Sequence, residues 1–546
     1  MANLPETQYA VQLVGPDALV LNKSKKVFSP GPHQVLCRVE VVGLCFSDLK
    51  LLKQFSCHVR KSEIVSGIDP EVLEEIPSYV PGDAPTVPGH ETVVIVEAVG
   101  PQVENFKSGQ RYLVQTDYRW LRTASSNAAF GYNFEGALQE YVLMDERVIT
   151  SPEGDSMLIP VWPELSASAV ALAEPWACVE DAYVSKERTC LKKGGQMLVV
   201  VDTEVPKDLL EKLFNRYGEP EQLDKFDIRH STFDISNLYD AGYDDVIYFG
   251  SVPKTVEALF AKLASQGLLN IVLCGGRFGR DVVTIIGRVH YGGIRIIGTR
   301  GCDPAESMQI IPDTGEIRPC DKINIVGAGG PMGTMHVIRN ICQGIEGISV
   351  FAGDVDQTRL ANLTKIAEPL ARKNGIEYRP YNSTKGDIAE DFDYTVLMAP
   401  IPDLVAVSVH TAAESGIINI FAGIPATVTA KLDLDAYIEK QLYFIGTSGS
   451  TLDDMKRMLE KVQTGRLDTN VSVAAICGLE GATDGIRAVE NRTIAGKIMV
   501  YPCCHGLGLT RLDELEEKMP EVAECLNNGL WNKQAEQALF RRYQEI

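Results

Sequence analysis

The chain has 546 residues, of which 45% are hydrophobic and 23% charged, as expected for a globular protein of several domains. Its net charge of −21 argues against nucleic acid or an anionic membrane as a partner, because both need basic surface patches. We find no apolar run of membrane-spanning length and no signal-peptide pattern, and the thirteen cysteines are irregularly spaced. We therefore expect reduced thiols and a cytoplasmic location.

The first 190 residues predict a small, partly closed β-domain. Short β-type runs at 35–42, 92–99 and 111–115 are separated by glycine and proline. The polar, acidic and turn-rich stretch 54–84 predicts an irregular excursion. A tolerated surface insertion is the simpler interpretation of it, and a lid over a substrate is the alternative.

Three short segments of this region carry candidate metal ligands. Cys45, the pair His90–Glu91 and Glu174 offer a thiolate, an imidazole and carboxylates, which together suit zinc. Three protein ligands leave one tetrahedral position for water or substrate, as in a catalytic site rather than a structural one. The sequence has no Cys-x2-Cys pair, so we expect no second, thiolate-rich zinc site.

From about residue 193, strands and helices alternate, which predicts parallel α/β sheets. A repeat lies within this region. Residues 243–253 align without gaps with 392–402, and the same offset carries 266–271 onto 415–420. Two related α/β units are therefore predicted to follow one another, at 193–318 and 319–465.

The two units differ where a nucleotide would bind. The second opens with a strand that runs through a glycine loop into a helix, so backbone N–H groups can approach a pyrophosphate. Asp354 ends an apolar strand about twenty residues later, where its carboxylate suits the ribose of NAD and would repel the 2′-phosphate of NADP. The first unit has Asp202 and Glu204 in place of glycines and is predicted not to bind a dinucleotide. The loop candidates in the second unit are Gly327, Gly329, Gly330, Pro331, Met332 and Gly333.

The end of the chain predicts two further elements. Residues 466–501 return to short strands, which are predicted to complete the β-domain of residues 1–192, so that the α/β units form an insertion in it. Beyond Pro502, the apolar spacing predicts helices over 510–527 and 530–543. We therefore assign residues 502–546 to a packed, helical C-terminal extension.

These motifs resemble those of the medium-chain, zinc-dependent alcohol and polyol dehydrogenases. The landmarks are Gly-x-Cys-x-Ser-Asp at 43–48, Gly-His-Glu at 89–91, Glu-Pro at 174–175 and Ala-Gly-Lys-Ile at 495–498. The sorbitol dehydrogenase and sugar-phosphate reductase branch is most similar, because it has a glutamate where alcohol dehydrogenases have a second zinc cysteine. The resemblance implies an α/β protein with a GroES-like β-domain and two tandem Rossmann-type units, the first degenerate.

The resemblance also implies roles around one catalytic zinc. Cys45, His90 and Glu174 would lie near the metal, with Glu91 a direct or alternate ligand. Ser47 takes the position of the first hydroxyl in the family's proton relay. Lys50 takes the next position, where it passes the proton outward, holds an anionic substrate or is simply solvated.

The substrate and the nicotinamide are expected to meet in a cleft between the β-domain and the second α/β unit. Trp120, Tyr132 and Glu135 are the candidate substrate contacts, and a glycine-rich loop with a surface acid is the alternative. The nicotinamide is expected at the carboxyl ends of the parallel strands of the second unit. The candidates there are Ala399, Gly423, Ile424 and Thr447.

Together these features predict hydride transfer between NAD(H) and the carbinol or carbonyl carbon of a polyol, sugar or sugar derivative, including sugar phosphates. The alternatives are an epimerase or lyase that uses zinc and NAD for transient oxidation, and a non-catalytic binding or scaffold protein. Members of the family often dimerise through their nucleotide domains. The degenerate unit is therefore predicted either to form an internal pseudo-dimer or to support the metal domain or a further subunit of a homo-oligomer.

Overall fold

A computed structural model describes residues 4–229, 235–386, 391–447 and 449–544. The chain divides into two compact units, the first made of residues 1–177 and 450–546 and the second of residues 178–449. The second compact unit contains both predicted α/β units, which from here on are called the first copy (193–318) and the second copy (319–449). Residues 450–465, which were predicted to end the second copy, belong to the first compact unit. None of the helices in the described ranges is long and apolar enough to cross a bilayer.

The N-terminal part of the first unit is mostly strand. Its strands are β1 (Thr7–Gly15), β2 (Ala18–Lys26), β3 (Gln34–Gly43), β4 (Ile64–Ser66), β5 (Glu91–Val99), β6 (Arg111–Val114), β7 (Asp117–Thr123), β8 (Asn127–Ala129), β9 (Tyr141–Asp145) and β10 (Leu158–Pro160). Its helices are α1 (Phe46–Gln54), α2 (Pro70–Glu74), α3 (Glu146–Ile149), α4 (Ala167–Ala171) and α5 (Ala173–Val184). The boundary between the two compact units falls inside α5.

The stretch 54–84 is anchored in the first unit by a few buried side chains, while most of its residues are exposed or half-buried. Phe55, Leu73 and Ile76 belong to the hydrophobic core. Lys61 is buried, and its ammonium donates hydrogen bonds to the carbonyls of Val80 and Ala84. Buried apolar positions are few among the polar residues of this stretch, which is why its composition suggested an exposed segment.

The first copy forms a parallel sheet in the order β12-β11-β13-β14-β16 within its described residues. Its strands are β11 (Gln196–Val201), β12 (Gln222–Asp227), β13 (Tyr243–Phe249), β14 (Leu263–Val272), β15 (Val282–Thr284) and β16 (Arg295–Thr299). Its helices are α6 (Leu209–Tyr217), α7 (Pro253–Leu259), α8 (Gly287–Tyr291) and α9 (Pro304–Met308).

The second copy forms a parallel sheet in the order β19-β18-β17-β20-β21-β23, the order of a doubly wound dinucleotide fold. Its strands are β17 (Lys322–Val326), β18 (Ser349–Asp354), β19 (Glu377–Asn382), β20 (Phe392–Leu397), β21 (Ala412–Ile420), β22 (Ala430–Leu432) and β23 (Tyr443–Ile445). Its helices are α10 (Pro331–Cys342), α11 (Gln357–Asn374), α12 (Pro402–Thr411) and α13 (Leu434–Glu439).

The repeat seen in the sequence extends to backbone detail. The pairing of β13 with β14 shifts register between Tyr243 and Asp245, and the pairing of β20 with β21 shifts at the equivalent positions Phe392 and Tyr394. Gln266 and Ser415, also equivalent, have φ angles of 61° and 56°. The two copies therefore share these backbone irregularities at equivalent positions.

The two copies meet as an internal pair. Strand β15 of the first copy runs antiparallel to β22 of the second, with Val282 opposite Leu432. The Tyr437 hydroxyl donates to the carbonyl oxygen of Ile296 at 2.8 Å. One hydrophobic core contains buried residues of both copies, so each copy covers an apolar edge of the other.

The remaining elements return to the first unit. They are α14 (Leu452–Gln463), β24 (Val473–Cys477), α15 (Leu479–Glu490), β25 (Lys497–Val500), β26 (Thr510–Arg511), α16 (Leu515–Lys518), α17 (Pro520–Ala523) and α18 (Lys533–Gln544). The main sheet has the order β10-β6-β5-β3-β25-β24-β26, and β9 also pairs with β3. The single helix predicted over 510–527 is wrong, because Pro520 cannot donate to a preceding turn and the chain there forms two short helices.

The C-terminal extension is anchored through one buried carboxylate. Glu536 of α18 accepts hydrogen bonds from the N–H groups of Ala167 and Ser168 at 2.6 and 2.8 Å. It also accepts one from the Tyr501 hydroxyl at 2.9 Å. The carboxylate thus satisfies N–H groups at the start of α4, a short helix close before Glu174 in the chain.

Candidate active site

Three candidate ligands lie together in the first unit. Strand β3 ends at Gly43, Cys45 immediately precedes α1, and His90 and Glu91 stand at the start of β5. The pairing of β3 with β5 sets Gly43 opposite Glu91. One ligand atom from each of Cys45, His90 and Glu91 lies within 4.8 Å of the others. His90 and Glu91 are buried and Cys45 is half-buried.

Gly43 gives Glu91 its place in this cluster. A β-carbon at Gly43 would lie 2.3 Å from Glu91 Oε2, much closer than atoms can approach. The glycine is therefore required by the neighbouring carboxylate rather than by backbone conformation, since its φ angle is not in the left-handed region.

Asp48 connects the cysteine and the histidine. Its Oδ2 accepts a hydrogen bond from the Cys45 N–H at 2.9 Å, and its Oδ1 lies 3.2 Å from His90 Nδ1. Burial alone would lower the pKa of His90, but Asp48, Tyr132 and Cys45 together raise it well above its usual value. A carboxylate that orients a ligand imidazole is a common support of metal sites.

Lys497 holds one oxygen of Glu91. Its ammonium lies 2.5 Å from Glu91 Oε1 and also donates to the Leu44 carbonyl at 3.0 Å. Both charged side chains are buried. Burial acts to lower the pKa of Lys497, but the Glu91 and Cys45 charges raise it. The other carboxylate oxygen, Glu91 Oε2, is buried with no hydrogen-bond partner among the described residues.

Glu174 lies near this cluster but outside its closest set. It is the second residue of α5 and is buried. Burial raises the pKa of its carboxyl to about 7; the Glu91 charge also raises it, while His90 and Lys497 lower it. These influences place Glu174 within electrostatic reach of both His90 and Glu91. The structure thus favours Glu91 over Glu174 as the carboxylate beside Cys45 and His90.

The residues present fit a zinc ion. A thiolate, an imidazole and a carboxylate lie close together, and one oxygen of that carboxylate, Glu91 Oε2, has no hydrogen-bond partner in the described structure. A buried carboxylate oxygen without a donor is costly unless a cation or water satisfies it.

Two of the predicted catalytic residues have different surroundings. Ser47 Oγ lies 3.1 Å from His90 Nε2, and Ser47 also hydrogen-bonds with Tyr132. The Tyr132 and His90 rings are 5.9 Å apart. Lys50, in contrast, is exposed on α1. The structure therefore brings Ser47 and Tyr132 to the cluster, while Lys50 stays at the surface.

The other two candidate substrate residues are engaged elsewhere in the first unit. Trp120 is half-buried on β7, with its ring 6.0 Å from that of Tyr118. Glu135 is buried, and its Oε2 accepts a hydrogen bond from the Lys25 ammonium at 2.8 Å. This ion pair occupies one of the two oxygens that we expected to bind substrate hydroxyls.

A histidine and an arginine beside Tyr132 were not predicted from the sequence. The His58 ring lies 5.0 Å from the Tyr132 ring, and the Arg60 guanidinium carbon lies 5.7 Å from its centroid. Arg60 also pairs with Asp117 at 2.6 Å. Burial, with the Arg60 and Lys50 charges, lowers the pKa of His58 to about 4. The only signal was a histidine and an arginine inside a polar stretch, which does not distinguish them from surface residues.

In the second unit, the glycine loop connects β17 to α10. Gly327 has a φ angle of 90°, and its N–H donates to the Gly353 carbonyl at 2.8 Å. A β-carbon at Gly333 would lie 2.4 Å from the Gly327 carbonyl oxygen, so only glycine lets the helix approach the strand. At Gly330 the nearest atom to such a carbon is 3.8 Å away. Gly330 caps α10, and Pro331 and Met332 begin it, leaving the first helical N–H groups free for an anion.

Asp354 ties this loop to the end of β18. Its Oδ2 accepts from the Gly329 N–H and its Oδ1 from the Asp356 N–H, both at 2.9 Å. Each oxygen keeps a further lone pair that can accept from a ribose hydroxyl.

The remaining cofactor candidates follow neighbouring strands of the same sheet. Ala399 comes after β20, Gly423 and Ile424 after β21, and Thr447 after β23. They thus share the carboxyl edge of the sheet with the glycine loop, where open α/β sheets bind ligands. The Thr447 hydroxyl is buried without a hydrogen-bond partner in the described ranges. These features fit a dinucleotide.

The equivalent position in the first copy is closed by its own side chains. The Tyr248 hydroxyl donates to Asp202 Oδ2 and accepts from the Val252 N–H, both at 2.9 Å. Asp202 stands where the second copy has its glycine loop. A carboxylate there repels phosphate, and its hydrogen bond with the Tyr248 hydroxyl holds it in place.

The comparisons with known proteins agree with this geometry. Residues 31–153 match the family model described as alcohol dehydrogenase GroES-like domain. The chain is similar to "Uncharacterized protein YggP" of Escherichia coli (strain K12), with 29% identity over 249 residues, 42% of this chain and 58% of that protein. It is also similar to an L-sorbose 1-phosphate reductase of Klebsiella pneumoniae, with 25% identity over 241 residues, 42% of this chain and 57% of that protein. The chain therefore spans less than two thirds of the length of these relatives.

A solved structure shows the same fold. The 2R,3R-butanediol dehydrogenase from Bacillus subtilis superposes with a TM-score of 0.52 at 14% sequence identity. The superposition covers 91% of this chain and 100% of that protein. The predicted fold class, a GroES-like β-domain with Rossmann-type parallel α/β units, is confirmed.

Proposed function

We propose that this chain, a member of the medium-chain, zinc-dependent alcohol and polyol dehydrogenase family, is an oxidoreductase that uses one zinc ion and NAD. The observation that carries this proposal is the close, buried set of Cys45, His90 and Glu91. The glycine loop and Asp354 of the second copy supply the complementary dinucleotide site.

Cys45, His90 and Glu91 would hold the zinc, with Glu174 as the alternate carboxylate. When bound, zinc polarises the oxygen of a hydroxyl or carbonyl substrate, and NAD exchanges a hydride with the carbon that carries it. Asp48 keeps Cys45 and His90 in position, and Lys497 balances the charge that Glu91 brings into the buried site.

The chain's own hydroxyl groups move the proton. Ser47 Oγ lies beside His90 and hydrogen-bonds with Tyr132, so it can accept the substrate's hydroxyl proton while passing its own onward. The His58 ring lies 5.0 Å from the Tyr132 ring, and His58 is neutral at pH 7 because its pKa is about 4. A neutral imidazole there can accept a hydrogen bond without adding charge to the site.

We propose a polyol or sugar, in phosphorylated form, as the substrate class. Arg60, beside Tyr132, and the surface residue Lys50, whose charge reaches His58, provide positive charge near a site in which two of the three ligands, Cys45 and Glu91, are anionic. The names of two relatives, an L-sorbose 1-phosphate reductase and a mannitol-1-phosphate 5-dehydrogenase, support this class. A phosphate dianion bound by these cations would orient the carbinol carbon.

A substrate panel tests the proposal. Polyols, sugars and their monophosphates are offered with NAD and with NADP, and NADH formation is followed by absorbance. We expect stoichiometric NADH with at least one phosphorylated polyol, faster than with its unphosphorylated form and faster than NADP reduction. Chelation is expected to abolish the rate and added zinc to restore it. Rates that are indifferent to chelation, or product isomers formed without net NADH, would contradict the proposal.

A further inference from the structure

The loop that follows β21 in the second copy packs against the first copy. Strand β15 pairs with β22 beyond this loop, and the Gly287 N–H donates to the Val428 carbonyl at 3.2 Å. A β-carbon at Gly287 would lie 1.9 Å from the Pro425 carbonyl oxygen, so helix α8 packs directly on the loop backbone. Gly423 and Ile424, our candidates for the nicotinamide end of the cofactor site, lie just before Pro425.

His290 of α8 secures the start of the same loop. Its Nδ1 lies 3.1 Å from the Ile420 carbonyl oxygen, the last residue of β21. Its ring contacts Phe421 edge to face at 6.4 Å, while His336 of the second copy contacts Phe421 at 4.5 Å. A β-carbon at Gly446 would lie 3.0 Å from His290 Cα, so the end of β23 also abuts this histidine.

Tyr291, the last residue of α8, reaches the cofactor candidate itself. Its hydroxyl lies 2.8 Å from the point where a β-carbon on Gly423 would be. Its ring packs edge to face on His290 at 4.6 Å, which fixes its direction. The side chain is 45% exposed, so it is not held there as a core residue.

The reverse contact between the copies has a different chemistry. In the first copy, the equivalent loop donates the N–H groups of Phe278 and Gly279 to Asp435 of the second copy, each at 2.9 Å. The Asp435 carboxylate thus holds the loop of the first copy, in which we expect no bound cofactor. The loop of the second copy instead receives an uncharged hydroxyl, which can both donate and accept a hydrogen bond.

We propose that Tyr291 of the degenerate copy is a positioning residue for the nicotinamide end of the dinucleotide bound by the second copy. This inference rests on the proposed function. The first copy, which has lost its own phosphate loop, acts through α8 as a built-in partner that fixes the Gly423 loop. Pre-ordering the loop reduces the entropy that cofactor binding must otherwise overcome.

The test compares NADH with ADP-ribose, which shares every part of NADH except the nicotinamide. Dissociation constants are measured by titration calorimetry on full-length wild type and the Tyr291→Phe variant. We expect the Kd for NADH to rise about 5-fold, as for loss of one hydrogen-bonding group, and the Kd for ADP-ribose to stay unchanged. Tyr239→Phe, at an 87% exposed tyrosine of the same copy, is the matched control and should change neither value. Equal weakening of both ligands, or no change in either, overturns the inference.

A second substitution, alone and combined with Tyr291→Phe, separates an effect on cofactor binding from a folding defect. Gly423→Ala brings a methyl group against the Tyr291 hydroxyl and should weaken NADH binding. Adding Tyr291→Phe removes that hydroxyl and should recover part of the affinity. Additive losses in the double variant overturn the inference. A wild-type chain that binds neither ligand would contradict the proposed function and, with it, this inference, whereas normal binding without any Tyr291 effect would contradict this inference alone.

Discussion

Replacing Cys45 by serine is expected to remove the zinc and to lower kcat/KM at least about 1000-fold, equivalent to about 4 kcal/mol of transition-state stabilisation. Serine cannot supply the soft thiolate that completes the set with His90 and Glu91. Zinc per chain is measured by elemental analysis, and initial rates are measured on the best substrate of the panel.

Cys57→Ser is the matched control for this loss. Cys57 is an exposed free cysteine close to α1, so its replacement should leave zinc content and rate unchanged. A Cys45→Ser protein that keeps its zinc and its rate would show that the metal is bound elsewhere. Loss of the rate with full zinc retention would instead separate the cysteine from metal binding.

Lys497→Met is expected to lower the free energy of unfolding of zinc-free protein by about 3–5 kcal/mol. The substitution leaves the Glu91 carboxylate buried without its partner, next to Cys45 and Glu174. Zinc affinity should fall about 10–100-fold, because Lys497 positions one oxygen of the ligand. Urea unfolding and competition with a chromogenic chelator measure the two effects.

Two companion variants sharpen this result. Lys53 forms ion pairs with Asp17 and Glu490 at the surface, and Lys53→Met should cost less than about 1 kcal/mol. The double variant Glu91→Gln/Lys497→Met removes both buried charges, so it should regain most of the stability but not the zinc affinity. Equal losses of unfolding free energy in Lys53→Met and Lys497→Met would argue that the Lys497–Glu91 pair is not buried in solution.

Much of the fold could be predicted because its signals are local. Gly and Pro separate the strands of the β-domain, and an aligned repeat of strand, turn and helix marks the two α/β copies. The structure adds what depends on long-range packing. Phe55, Leu73 and Ile76 make the polar stretch 54–84 part of a core, which no local periodicity indicates. The pairing of β15 with β22 joins segments about 150 residues apart and has no local signal either.

The candidate metal site could also be predicted in part, because some of its residues stand in local sequence motifs. Cys45, His90 and Glu91 stand in short motifs at strand ends, and those motifs are visible in the sequence. Lys497 pairs with Glu91 across 406 residues of sequence, so only the sheet register brings the two together. The motif that contains Lys497 helped to identify the family, but nothing in that motif indicates that Lys497 pairs with the candidate metal ligand Glu91.

The first copy was likewise only partly predictable from its sequence. The missing glycines predict the absence of dinucleotide binding, because phosphates need unobstructed N–H groups. That the Asp202 carboxylate accepts a hydrogen bond from the Tyr248 hydroxyl depends on side-chain directions. The loss of the phosphate loop is therefore reinforced by contacts that the sequence alone does not reveal.

We expect each chain to carry one working dinucleotide site, in the second copy. Calorimetric titration of the full-length chain with NADH tests it most directly. We predict one NADH per chain, complete loss of binding in Gly333→Val and unchanged binding in Thr203→Val, at the equivalent loop of the first copy. A stoichiometry of two NADH per chain, or loss of NADH binding in Thr203→Val, would contradict this expectation.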